Sequence, residues 1–319
     1  MTTPPPPSTV QRDFPLARLA TVRTGGPAEL FARPGSEGEL LELLAWARVA
    51  EVPVAVVGSG SNLLVADEGV RGLVLKLERE LAQIERVGDR ELECGGGARL
   101  PKVAAYAAGA GLSGIEFGVN IPGTVGGAVR MNANAYGGEL AQTLEWVEMA
   151  TSRGLERRAP RDLDFGYRRS NLGTGEVVAR ASFLLTLADA GAVKTALAEL
   201  RARRREAQPQ GIKTFGSTFK NPEDRSGGHS SECGADQLAE VRTAGLLLSE
   251  AGCNGLTIGG ARFAPKHANF IENTGIATTA EIVALMAEGR RRVLERFGVA
   301  LEPEVQTLGP VPWPWGPKR

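Results

Sequence analysis

Apolar positions in the first hundred residues keep two rhythms. Leu40, Leu41, Leu43, Leu44 and Ala47 recur at three- and four-residue spacing, and Ser36 with Glu39 supplies a capping box ahead of them. A helix is predicted there, ending near Pro53. Val54-Ala-Val-Val57 is instead an unbroken apolar run. It is followed by Gly58-Ser-Gly-Ser-Asn62, then Asn62-Leu-Leu-Val65, a turn at Asp67-Glu-Gly69 and a further run at Gly72-Leu-Val-Leu75. That order reads as strand, loop, strand, turn, strand. Between Leu73 and Leu100 short apolar runs alternate with glycine and acidic turns, which predicts a strand-rich mixed lobe rather than regular βαβ repeats. Ala98 to Gly109 reads as a short alanine-rich helix.

Short strands return from Trp146 through Leu187, and Ala192 to Arg205 reads as an amphipathic helix ended by Gln208-Pro209. The change of pattern at this helix divides the chain into a disordered or extended lead-in over 1–13, which contains Pro4-Pro-Pro-Pro7, a first domain over 14–195 and a second over 196–319. In the second, the polar stretch Glu223 to Gly234 reads as a loop insertion and a helix is expected around Thr243 to Ala251. Thr278 and Glu281 form another capping box. It opens a long helix carrying Ile282, Val283, Leu285, Met286, Val293, Leu294 and Phe297 and stopped by Gly298. Val299-Ala-Leu301 and Val305 then predict a terminal strand carrying Glu304.

Composition narrows the partners. At 319 residues the chain is long enough for two packed domains. Lys+Arg and Asp+Glu both total 37, so no global field draws nucleic acid or an anionic membrane, and an acidic ligand must be held by local positive groups. Glycine reaches 41 residues while aromatics make up 5%, a balance that favours tight turns and close backbone approach. Cys94, Cys233 and Cys253 are widely spaced without a CxxC, which offers neither a disulfide framework nor a metal site and suits a reducing compartment. The N-terminus lacks the charged start and apolar core of a secretory signal, and no apolar run approaches a membrane span. The expected location is cytoplasmic.

Two glycine-rich segments are candidates for ligand contact. Val57 and Gly58-Ser-Gly-Ser-Asn62 form a strand exit whose amides suit an anion, although Leu63 stands where a dinucleotide-binding Rossmann turn needs its third glycine. Gly118-Val-Asn-Ile-Pro-Gly-Thr-Val-Gly-Gly127 is too rich in glycine and proline for regular structure and reads as a second backbone cradle. Taken singly, either is also an ordinary turn.

Taken in order, Thr21-Val-Arg-Thr-Gly-Gly26, Gly58-Ser-Gly-Ser-Asn62, Ile121-Pro-Gly-Thr-Val-Gly-Gly127, Tyr167-Arg-Arg-Ser170, Gly216-Ser-Thr-Phe-Lys-Asn-Pro222, Lys266-His-Ala-Asn-Phe270 and Pro303-Glu-Val305 resemble the UDP-N-acetylenolpyruvoylglucosamine reductases, flavoenzymes of peptidoglycan precursor synthesis. The resemblance implies an α+β chain: a two-lobed FAD-binding domain of the vanillyl-alcohol-oxidase type, then a smaller α/β substrate-binding domain. It implies bound FAD, contacted by Val57, Gly58, Ser59, Gly60, Ser61, Asn62, Ile121, Pro122, Gly123, Thr124, Gly126 and Gly127, and NADPH as co-substrate. The substrate would be UDP-N-acetylglucosamine enolpyruvate, met by Tyr167, Arg168, Lys220 and Asn221.

Arg168, Ser217 and Glu304 match the family's catalytic residues: a cation for the substrate carboxylate, a proton donor, and an acid beside the carbanion. On residue type alone each has a plainer reading, as a solvated arginine, a turn serine and a surface carboxylate. His267 reads as a hydrogen-bonded structural residue, His229 as incidental, and Arg201, Arg203, Arg204 and Arg205 as a solvated helix end. Ser59, Asn120 and Asn134 stand where the family usually carries glycine, and asparagine tolerates left-handed backbone. Only Asn171 to Val177 separates Ser170 from the next strand, which resembles the family's short-loop subclass. The alternatives are another flavoprotein oxidase of this fold and a UDP-sugar-binding protein without catalysis.

Overall fold

Ser36 starts a helix as its side chain predicts. In the computed structural model, which describes residues 4–173, 175–222 and 243–316, the Ser36 hydroxyl accepts from Glu39 N (3.3 Å) and helix α1 runs Glu37–Val49. The Glu39 carboxylate closes on Gly35 N (2.7 Å), and this bond, aided by Arg79, holds its pKa below the usual carboxylate value. Leu40, Leu43, Leu44 and Ala47 are buried against Leu30, Leu73, Leu75, Val177 and Ala179.

The chain forms two units. One comprises residues 4–15, 27–60 and 70–206, the other residues 16–26, 61–69 and 207–316. Among the described residues the first unit holds two larger sheets and two two-stranded ones. In the four-stranded sheet, Gln11–Pro15 pairs antiparallel with Pro27–Ala32, which runs parallel to Val70–Leu75, itself parallel to Val54–Val56. The expected lead-in is therefore structured before its end: residues 11–13 are already in a strand, and Pro4 O accepts from Trp46 Nε1 (3.1 Å).

The second sheet is antiparallel, in the order Gly154–Arg158, Leu144–Thr151, Val177–Leu184, Glu91–Gly95, Ile84–Arg86. Against it pack α2 (Leu100–Gly109) and α3 (Val125–Arg130), around a core containing Leu92, Val103, Phe117, Val129, Met149 and Phe183. The glycine-rich 118–127 segment thus contains regular structure after all: it joins the 3-10 turn Glu116–Asn120 to α3, whose N-cap is Thr124. The last helix of this unit, α4 (Ala190–Ala207), buries Val193 and Leu197 against Ala104, Ala108 and Val119. That packing places the division at 206/207 rather than at 195/196.

The second unit has a four-stranded antiparallel sheet, Lys213–Ser217, Phe270–Asn273, Ala261–Phe263, Thr257–Ile258, with α5 (Ala244–Glu250) and α6 (Thr279–Phe297). Residues 299–305 are not the expected strand. Leu301 and Val305 are buried in the core, and the segment pairs only through an isolated antiparallel bridge, Phe219 with Pro303. The strand is Gln306–Leu308, parallel to Leu63–Val65. The Glu223 to Gly234 insertion, with His229 and Cys233, lies outside the described residues.

The start of α6 gathers the inserted segments. Thr278 Oγ1 accepts from Glu281 N (3.1 Å), and the Glu281 carboxylate accepts from Thr278 N (3.0 Å) and Gly260 N (3.1 Å). Asp67 takes the next two amides, Thr279 N (2.8 Å) and Ala280 N (2.9 Å), while Thr279 Oγ1 donates to Val65 O (2.6 Å). All four amides of the first turn are satisfied. Asp67→Ala is expected to destabilise the protein by about 1–2 kcal/mol, the usual cost of losing a helix cap, with Asp67→Asn recovering part. Urea unfolding midpoints at pH 7 check this; an unchanged midpoint for the alanine variant refutes it.

Candidate functional site

In the first unit the two glycine loops meet. Val57 is buried and its N donates to Leu75 O (2.9 Å), so the loop leaves the sheet with fixed direction. A Cβ on Gly58 would lie 2.4 Å from Thr124 Oγ1, so only glycine lets these loops touch. Ser59 Oγ donates to Pro122 O and closes the contact.

The second loop is itself clamped: Leu100 N donates to Gly123 O (3.0 Å), Val125 N to Ala98 O (2.8 Å) and Gly126 N to Gly96 O (2.8 Å), and Gly127 N reaches Thr124 Oγ1 (3.4 Å). The amides opening α3 are thus spent inside the protein. Gly126 and Gly127 serve packing, while residues 121–124 face the Gly58 loop. Neither Asn120 nor Asn134 adopts left-handed backbone. Asn120 Nδ2 ties its turn to Leu200 O (2.8 Å), and Asn134 pairs with Glu139 in a short hairpin.

Tyr167 and Arg168 are the two central residues of a tight turn, closed by Gly166 N to Arg169 O (3.0 Å) and Arg169 N to Gly166 O (3.1 Å). Arg168 has φ +54°, a conformation that normally selects glycine or asparagine at this position. Its Nη1 donates to Asn134 O (3.2 Å), and the guanidinium lies 5.7 Å from the Tyr167 ring. Arg204 departs from the solvated helix end expected of it with Arg201, Arg203 and Arg205: burial pushes its pKa down, opposed by Tyr136.

In the second unit, Phe215 and Phe219 are buried on either side of Ser217. Gly216 takes φ +85° at a bulge between Thr214 and Ser217. Asn269, which the sequence reading left without a role, clasps this segment. Its Oδ1 accepts from Phe219 N (2.8 Å), its Nδ2 donates to Phe219 O (2.9 Å), and its backbone O accepts from Thr218 N (2.8 Å). Opposite runs the Glu304 segment, with Glu304 N to Thr218 O (3.0 Å) and Lys220 N to Glu302 O (2.9 Å).

Asn62 belongs to this unit too. Its Nδ2 reaches Glu304 O (3.4 Å) and its O accepts from Gln306 N (3.1 Å), while the preceding Ser61 O lies 3.5 Å from where a Gly216 Cβ would stand. The chain crosses from one unit to the other between Gly60 and Ser61, inside the predicted cradle. Lys220 Nζ pairs with Glu302 (3.7 Å), and Asn221 Oδ1 accepts from Ala244 N (3.1 Å) at the start of α5.

His267 is structural. Its Nδ1 accepts from Asn269 N (3.2 Å), its ring meets Phe270 edge-on, and burial lowers its pKa, favouring neutral imidazole. Among the described residues no cluster of histidine, cysteine and carboxylate side chains could hold a metal ion.

Similarity to known proteins follows the same division. Residues 28–159 match the FAD binding domain family, and residues 208–308 match the family described as UDP-N-acetylenolpyruvoylglucosamine reductase, C-terminal domain. The chain is 40% identical over 310 residues to the UDP-N-acetylenolpyruvoylglucosamine reductase of Heliobacterium modesticaldum, covering 94% of this chain and 93% of the relative. It is 41% identical to reductase 2 of Symbiobacterium thermophilum, over 96% and 94% of the two chains. The crystal structure of the Thermus caldophilus enzyme superposes with a TM-score of 0.77 at 35% identity, covering 94% of this chain and 98% of that one. With an FAD-binding domain and a reductase C-terminal domain in order, and such relatives along nearly its whole length, the chain belongs to the UDP-N-acetylenolpyruvoylglucosamine reductase family.

Proposed function

We propose that this protein reduces UDP-N-acetylglucosamine enolpyruvate to UDP-N-acetylmuramate, with FAD held by the first unit and NADPH as reductant. The reading rests on family membership and on a fit test: glycine at position 58 lets the two glycine-rich loops come together, Gly58 against Thr124 and Ser59 on Pro122 O, so their backbones converge where a ligand would be cradled. Val57 to Gly60 and Ile121 to Thr124, with Gly126 and Gly127, would hold it, while the expected Ser61 and Asn62 belong to the second unit. Bound FAD supplies a carrier that takes hydride from one partner and gives it to another.

The remaining chemistry falls to side chains. Hydride delivered to the enolpyruvyl methylene carbon leaves negative charge on the neighbouring carbon and its carboxylate. Arg168 is the group suited to hold that carboxylate, since its planar fork matches two oxygens. Tyr167 would flank it. Ser217 Oγ then gives a proton to the carbanionic carbon, and the alkoxide left behind needs nearby donors, a role suited to Lys220 and Asn221. Glu304 would be the acid that polarises the enolate.

The observation that carries the assignment is the Glu304 N to Thr218 O bond, which keeps the segments bearing Ser217, Lys220 and Glu304 side by side within one unit. Residues 171–176 alone separate the Arg168 turn from the Val177–Leu184 strand, which supports the short-loop subclass. The unpaired thiols of Cys94 and Cys253 suit a cytoplasmic enzyme. Among the described residues no helix is long and apolar enough to cross a membrane.

Purified protein is expected to be yellow, to bleach with NADPH and to recover colour rapidly only with the enolpyruvyl UDP-sugar; recovery at the same rate without the sugar would defeat the reading. Ser217→Ala should bleach normally yet reoxidise with substrate about 10²–10⁴-fold more slowly, as expected for loss of a proton donor. Normal turnover in that variant would remove Ser217 from the role. Arg168→Gly separates backbone cost from chemistry. Relief of a left-handed arginine should leave the melting temperature unchanged or raised, by up to about 1 kcal/mol of stability, while reoxidation falls at least about 10²-fold. A variant that melts earlier and still turns over would contradict both halves.

A further inference from the structure

Asn132 is almost wholly buried, at 1% exposure, and takes φ +38°. Every hydrogen-bonding atom of its carboxamide is engaged. Nδ2 donates to the Glu139 carboxylate and to Gly166 O (3.3 Å), and Oδ1 accepts from Ala141 N (3.2 Å). Gly166 is the residue whose N and O both close the turn presenting Tyr167 and Arg168. Two positions on, Asn134 O receives the Arg168 guanidinium, and two positions before, Arg130 O receives Ser170 Oγ (2.8 Å). The strand of chain at 130–134 therefore runs as a rail beside the turn at 166–170, with Asn132 as its buried fastening.

We infer that Asn132 is a positioning residue for Arg168: its carboxamide sets where the Arg168 turn stands by holding Gly166 O, and so governs substrate carboxylate binding without touching substrate. The inference rests on the reading of Arg168 given above. Asparagine suits the post on two counts. It tolerates positive φ, and it alone among small side chains offers two donors and an acceptor in one plane. Aspartate would keep the size and lose both donors, bringing two carboxylates together. Glycine would keep the backbone and lose the fastening.

The test uses the FAD-loaded full-length protein and measures the two half-reactions separately, with flavin affinity, melting temperature and the Kd of the enolpyruvyl UDP-sugar for oxidised enzyme. Asn132→Gly and Asn132→Asp should be reduced by NADPH within about twofold of wild type. Reoxidation by the sugar should slow about 10- to 100-fold, the range expected when a reacting group is displaced by about an ångström, and the sugar's Kd should rise in parallel. Asn132→Asp combined with Glu139→Gln restores the bond between positions 132 and 139 but leaves Gly166 O without its side-chain donor, so it should remain slow in reoxidation alone.

Recovery in that double variant, reoxidation of the glycine variant within twofold of wild type, or equal slowing of both half-reactions with loss of flavin would overturn the inference. Asn132→Gly decides the matter if the aspartate variant does not fold. Wild type run alongside must itself be reoxidised by the sugar; its failure would count against the functional reading and not against Asn132.

Discussion

The first turn of α6 leaves four amides pointing out of the helix, and the second unit is organised by what satisfies them. Thr278 and Glu281 close two locally, but Asp67 closes the other two from 212 residues away in sequence. A carboxylate at a helix N-terminus gains from both hydrogen bonds and the helix dipole. Once Asp67 is fixed there, the short strand Leu63–Val65 just before it is placed to pair with Gln306–Leu308. Asn62 then stands beside Glu304, and the Glu304 segment lies along Thr218. One capped helix end therefore fixes, through three short steps of backbone, the neighbourhood in which two of the proposed catalytic groups sit.

In the first unit the organising feature is local strain. Asn132, Tyr136 and Arg168 all have positive φ within one cluster of turns, and two of the three are residue types that avoid it. Such conformations cost on the order of 1–3 kcal/mol each and persist only where neighbouring contacts over-determine them. Here the contacts are identifiable: the paired amides of the 166–169 turn, the Asn132 carboxamide and the Asn134 carbonyl. A glycine at position 168 would make the same turn without strain. Retaining arginine sacrifices local stability to place a guanidinium at the tip.

Elements governed by neighbours in sequence were legible in the sequence. Ser36 and Thr278 capped the helices they announced, Gly298 ended α6 in the left-handed conformation, and the loop after Val57 joined strands rather than opening a Rossmann helix. What failed depended on partners far away. Burial of Leu301 and Val305 against the second core resembled a strand's apolar pattern, although only an isolated bridge, Phe219 with Pro303, forms there. Asn120 and Asn134 were read through backbone tolerance, whereas Asn120 is held by a side-chain bond to Leu200 O, 80 residues on. Asp67 was read only as part of a turn, Asn269 only as part of the Lys266-to-Phe270 motif and Asn132 not at all, because an asparagine or aspartate announces no tie until its partner is known. The division of the chain was blurred for the same reason: segments 16–26 and 61–69 join the second unit by contacts that no local composition shift records.

A serine is a weak acid, and its use as a proton donor demands that it be held still, since any wandering of Oγ is repeated in the barrier. The segment around Ser217 meets that demand by alternation. Phe215 and Phe219 are both buried in the core of the second unit, so the backbone is anchored two residues before and two residues after the hydroxyl. Between them the bulge and the positive φ of Gly216 turn the chain without a side chain to obstruct it. Asn269 then takes both the N–H and the C=O of Phe219, a clasp whose loss would leave buried polar groups unpaired at about 1–3 kcal/mol apiece. Rigidity at Ser217 is thus produced by apolar burial on both sides and enforced by one buried amide. The hydroxyl itself need contribute nothing to stability, so a change that removes only Oγ leaves the scaffold intact, whereas a change at Asn269 loosens the whole segment.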